Sequence, residues 1–175
     1  QGFPEAAGVD VSESQIRAAH RRGVREAQRG DNLAALAGHH GDLSLIAALD
    51  VIEHYTNPEV LRLMRAAHAA LAPRGTLLIQ TVNAEGPFGA RHRYADFSHE
   101  LAFTPASVRQ MLRAAGFTDV AVRPVEPVVH GARSALRWLL WKTIRLGLVL
   151  YLAAETGCLR GHVLTQNMIV AARKP

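Results

Sequence analysis

The sequence predicts an α/β fold, a largely parallel sheet joined by helices and finished by one antiparallel strand, and three stretches carry that expectation. Residues 43–49, LSLIAAL, form an apolar run of strand length with no internal charge, which suits a strand buried on both faces of a parallel sheet. Asp50, Glu53 and His54 follow at once, so ionisable groups arrive at the carboxyl end of that strand, where open α/β sheets bind ligands. Residues 6–9 make a short apolar run that ends in Asp10 and passes into a helical pattern, and residues 71–83, LAPRGTLLIQTVN, make another strand after a helix.

At 175 residues, 49% of them hydrophobic, the chain has room for a single domain, 1–175, with a sizeable core. The lone Cys158 excludes an internal disulfide, and no Cys/His pair has zinc-ligand spacing, so a reducing cytoplasm is the expected setting. The net charge of +5 suits an anionic partner such as a lipid headgroup, a sugar phosphate or nucleic acid without choosing among them. No basic stretch followed by an apolar core opens the sequence, so no signal peptide is expected.

Taken in order, Ser12 with Gln15 has capping-box spacing for the first helix. Residues 23–38, GVREAQRGDNLAALAG, read as a short strand and a brief helix opened by Asp31 and Asn32, where Asp31 can cap the helix. After the central strand, Asn57 is expected to cap a helix with Pro58 at its first position. Val60, Met64, Ala67 and Leu71 recur on one face of that helix, and Pro73 with Gly75 ends it. Asn83, at the end of the next strand, is placed to line a site. Thr104 caps a helix that stops at Gly116, residues 117–122 read as a strand, and residues 166–172 as the antiparallel one.

DLSLIAALDVIEHYTNP, residues 42–58, resembles the fourth-strand motif fDlI.a.dViEHl.dP of class I S-adenosylmethionine-dependent methyltransferases. GVDVSESQI resembles their second-strand motif, and LAPRGTLLIQTVN their LkPGG.lii.tpN, with Arg74 where glycine is commoner. The resemblance covers residues 8–173, and implies a Rossmann-like sheet and S-adenosyl-L-methionine as cofactor. By that resemblance Asp10 and Val11 meet the ribose, Asp31, Asn32 and Leu33 the adenine, and Asp50 also lines the cofactor. The family's Gly-rich turn, E/D-x-G-x-G-x-G, is missing before Asp10, so the first strand and helix are expected to be absent, as in an N-terminally truncated sequence. The second and fourth strands then either keep exposed ladder groups between them or close up.

Residues 84–103 form a long connection of the kind that is usually functional. It resembles the substrate-side loop of family members of sugar and polysaccharide pathways, whose Asp-x-Ser/Thr-His pattern matches Asp96, Ser98 and His99. Glu53, His54 and His99 together offer a carboxylate and two imidazoles, a set that moves a proton or binds a divalent metal. Proton transfer is the expectation, with no metal. A metal-dependent branch with a Glu-x-x-Glu-His motif is only loosely similar, since Asp50 stands at its first position. His54 or His99 is the expected base if one is used, with Asp50 or Glu53 available to orient the imidazole.

Residues 131–156 are an apolar helical insertion that the fold does not require. Their longest uncharged run, 146–154, holds nine residues where a spanning helix needs ~20. The alternatives are helices packed on the sheet or another subunit, or peripheral membrane contact through residues 134–154. The expected function is O-methylation of a sugar or related small molecule, in the cytoplasm or at a membrane, with no nucleic-acid partner. A non-catalytic partner of a glycosyltransferase or membrane, and an NAD(P)-dependent enzyme, are the alternatives.

Overall fold

The computed structural model of the chain describes residues 5–175. Strand β1 (Gly8–Asp10) leads through α1 (Glu13–Arg21) to β2 (Ala27–Arg29), and the two strands pair in parallel with Asp10 beside Arg29. Helix α2 (Asn32–Ala37) follows, then β3 (Leu43–Leu49), a 3-10 turn at Ile52–His54, and α3 (Asn57–Ala70). Next come β4 (Leu71–Val82), α4 (Gly89–Arg93), α5 (Pro105–Ala114), β5 (Thr118–Pro124), α6 (Ala132–Thr156) and β6 (Asn167–Arg173). The strands make two sheets: β1-β2, and a four-stranded sheet in the order β3-β4-β6-β5. β3 and β4 are parallel, and β6 runs antiparallel between β4 and β5. The expected α/β architecture with one antiparallel C-terminal strand is therefore present.

β1 and β3 do not pair with each other, so of the two arrangements open to them the chain takes the unclosed one. The join is made by helices instead. Leu33 and Leu36 of α2 pack on the core that α3, β4, α5 and β6 build from Val60, Met64, Ile79, Leu112 and Val170. β3 pays for its edge position in burial. The expectation that it is covered on both faces is overturned: with no strand beyond it among the described residues, Leu45 is 43% and Leu49 57% exposed.

Local corrections follow the same logic. α3 begins one residue earlier than its Pro suggests: Thr56, not Asn57, is the N-cap, and its amide and hydroxyl both donate to the Glu59 carboxylate. Ser12 sits at the N-cap of α1, but its hydroxyl bonds Ser14 rather than capping the helix. At the other end of α3, Lys174 Nζ donates to the Leu71 carbonyl at 2.6 Å, a cation at the negative helix end. Between Leu71 and Thr76 the β4 backbone loops out against β3. Arg74 takes φ +64° there, while Gly75 is needed for space, since a Cβ would lie 2.8 Å from the Ala72 carbonyl oxygen. The positive-φ position is thus Arg74 itself.

Candidate active site

The site is assembled at the carboxyl ends of the parallel strands. On the β1-β2 side, Asp10 Oδ1 accepts the Ser12 amide at 2.7 Å, which turns the chain into α1. Among the described residues its second carboxylate oxygen has no hydrogen-bond partner. Val11 beside it is 65% exposed. Asp31 lies two residues beyond Arg29, the partner of Asp10, so the two carboxylates emerge at the same end of neighbouring strands. Asp31 caps α2 by accepting the Ala34 amide at 2.9 Å. Asn32 reaches the other side of the site, donating to the Tyr55 hydroxyl at 3.0 Å. Leu33 turns its side chain to the core, leaving only its backbone at this edge.

On the β3 side, Asp50 takes φ +53°, a left-handed conformation that stops the strand and that Asp tolerates better than most residues. Gln80 of β4 holds its carboxylate with Nε2 at 3.0 and 3.2 Å from the two oxygens. Glu53 is 1% exposed and accepts the Thr81 hydroxyl at 2.9 Å. Burial pushes its carboxyl above the usual glutamate range, the Thr81 bond opposing in part. Its backbone carbonyl accepts the amides of Glu100 and Leu101 at 2.8 and 3.0 Å, which fastens the 84–103 connection to the site.

Those two bonds bring His99 to His54, their ring centroids 4.8 Å apart. The Ser98 hydroxyl lies 2.6 Å from Asp96 Oδ1 and 3.0 Å from His54 Nδ1. A carboxylate only accepts, so the Ser98 proton goes to Asp96, and His54 Nδ1 must be the donor to Ser98. The lone pair of His54 is then on Nε2. His99 Nδ1 faces the His92 carbonyl at 3.2 Å, also an acceptor, so its lone pair is on Nε2 as well. The Ser98 bonds hold Asp96 below the usual aspartate range, so it stays ionised and supports charge on His54.

The structure therefore joins Glu53, His54 and His99, whose ligand atoms lie within 4.8 Å of one another, a set that could also hold a divalent metal. It corrects the orienting group. Among the described residues neither Asp50 nor Glu53 bonds an imidazole; Asp96 acts through Ser98. It also removes Asn83 from the lining: that side chain is fully buried, donating to the Val163 and Thr165 carbonyls at 2.6 and 2.8 Å. Gln80, Thr81 and Tyr55 were not singled out in the sequence, although Gln80 and Thr81 end the strand parallel to β3, which is the one signal that pointed to them.

Residues 1–122 match the family model of a methyltransferase domain. No curated protein matches the chain. Among solved structures, it is similar to a SAM-dependent methyltransferase of Archaeoglobus fulgidus, with 16% identity, TM-score 0.70, and 97% of this chain and 76% of that one covered. A SAM-dependent methyltransferase of Thermotoga maritima superimposes with TM-score 0.67 at 16% identity, covering 97% and 72% of the two chains. One from Mesorhizobium loti gives 0.58 at 17%, covering 96% and 80%.

Proposed function

The chain belongs to the methyltransferase-domain family, and from that premise we propose that it methylates an oxygen of a sugar or related small molecule, with His54 accepting the proton of the acceptor hydroxyl. S-adenosylmethionine, when bound, supplies an electrophilic methyl group on a sulfonium. The residues present fit its adenosyl half. Asp10 keeps a carboxylate oxygen for a ribose hydroxyl, and Asp31 and Asn32 stand at the positive end of α2 beside it.

The observation that carries the reading is the Asp96–Ser98–His54 chain, which fixes one tautomer and leaves Nε2 free to take a proton. With the donor supplying the methyl group to the acceptor oxygen, His54 Nε2 would take the proton that the acceptor hydroxyl gives up. Positive charge on His54 is then balanced through Ser98 by ionised Asp96. A sugar acceptor is supported by the same connection, which exposes Phe88 and Tyr94, and Phe97 between Asp96 and Ser98. Flat aromatic faces next to hydrogen-bonding side chains suit the ring of a carbohydrate. The dinucleotide and non-catalytic readings are not favoured by the family match.

Transfer of labelled methyl groups should be followed with a panel of nucleotide sugars, free monosaccharides and amines, together with calorimetry of S-adenosylhomocysteine. Label is expected on sugar hydroxyls, with His54→Ala slowing transfer about 100-fold and leaving homocysteine-product binding intact. Label on amines alone sinks the oxygen reading, and no binding of S-adenosylhomocysteine sinks the donor site.

A further inference from the structure

Helix α6 spans 25 residues, yet Val149 is its one buried side chain. Its inner side is half-covered at Trp141, Leu148 and Leu152. The opposite side exposes more than half of Leu136, Leu139, Leu140, Ile144, Leu150 and Tyr151. At 100° per residue these fall on one stripe, about 22 Å long at 1.5 Å per residue, and only Thr143 and Gly147 interrupt it. No charged residue lies on it beyond the first turn. Arg133 and Arg137 border its N-terminal end, and among the described residues neither makes an ion pair. Lys142, by contrast, is held on the inner flank by Glu126 at 2.6 Å and lies 5.1 Å over the Trp138 ring.

An exposed apolar surface of this length on one helix marks an interaction site. We propose that the stripe seats in the headgroup region of an anionic lipid bilayer, the helix lying along the membrane plane. Three observations select this occupant. No described helix is long and apolar enough to cross a membrane, so α6 lies on one rather than through it. Its rim is cationic, with Glu155 the sole acid of the helix, and an anionic surface gains from that rim. A second copy of the chain carries the same net charge of +5, which opposes its approach. The segments that flank the helix in sequence also expose Val128, Val129 and Leu159, with His130 and Arg160 adjacent to them along the chain.

The test is sedimentation of the 175-residue chain with phosphatidylcholine vesicles, with and without phosphatidylglycerol. The chain is expected to pellet with the anionic vesicles alone, its tryptophan emission shifting to the blue. Two double variants should each lower that binding at least about tenfold: Leu139→Asp with Ile144→Asp, and Arg133→Glu with Arg137→Glu. All these positions face solvent, and unchanged circular dichroism and S-adenosylhomocysteine binding show that the fold and the donor site survive. The surface reading stands apart from the methyl-transfer reading, since vesicle binding and cofactor binding are read separately. Absence of vesicle binding, equal binding to both vesicle types, or a concentration-dependent dimer that Leu139→Asp abolishes would each overturn it.

Discussion

A hydroxyl has a single proton to give, and at Ser98 the carboxylate of Asp96 takes it, which makes Ser98 an acceptor toward His54. Replacing that oxygen cuts the link from His54 to Asp96 and leaves only the longer contact of Nδ1 with the Ser98 carbonyl, at 3.3 Å, to hold the tautomer. Ser98→Ala is therefore expected to lower kcat about tenfold while KM for the methyl donor stays unchanged, and Ser98→Thr to restore most of the rate. Glu53 yields a prediction in stability. Its carboxyl is raised by burial, so the folded state holds a proton the unfolded chain has lost. This favours folding fully below the ordinary value of 4.5 and is lost as pH rises through the raised one. Glu53→Gln has no charge to bury. Its Tm should exceed that of the parent by at least about 2 °C at mildly alkaline pH, the difference closing as the medium is acidified toward the unperturbed glutamate range.

At the scale of elements, most of the chain was legible because its strands and helices carry their own signals. The acidic-ended β1, the charge-free β3, and the Thr104-Pro105 start and Gly116 stop of α5 need nothing from distant residues. What escaped reading depends on partners far along the chain. Ser98 meets His54 across 44 residues, and Asn83 meets Thr165 across 82, so neither role leaves a periodic trace. β3 misled because an apolar run reads alike whether a neighbour covers it or not. The turn into β4 is a finer case. Arg74 looks like a tolerated departure beside Gly75, yet it is Arg74 that occupies the left-handed region. Arg74→Gly is expected to stabilise the chain by about 1 kcal/mol in urea titrations, and Gly75→Ala to cost more than that, because the carbonyls of Ala72 and Leu43 stand in the way.

Over the whole molecule, the core gathered by α3, β4, α5 and β6 is thick, whereas residues 8–37 lean on it chiefly through α2. A unit this small cannot hold itself together, so its backbone should open with less free energy than the four-stranded sheet. Amide hydrogens of β1 and β2 are expected to exchange at least about tenfold faster than those of β4 and β6 in native-state measurements. S-adenosylhomocysteine should slow the first group and leave the second unchanged. Equal rates in both groups would mean that the two parts open together.

Among the described residues, β1 and β3 each keep an outward row of peptide groups without a mate. A ribbon accepted by both rows would fuse the small ply and the large one into a continuous wall. Donor grip and proton acceptor would then ride on one frame, so the distance a methyl group must travel would be set by backbone hydrogen bonding rather than by any residue that touches it.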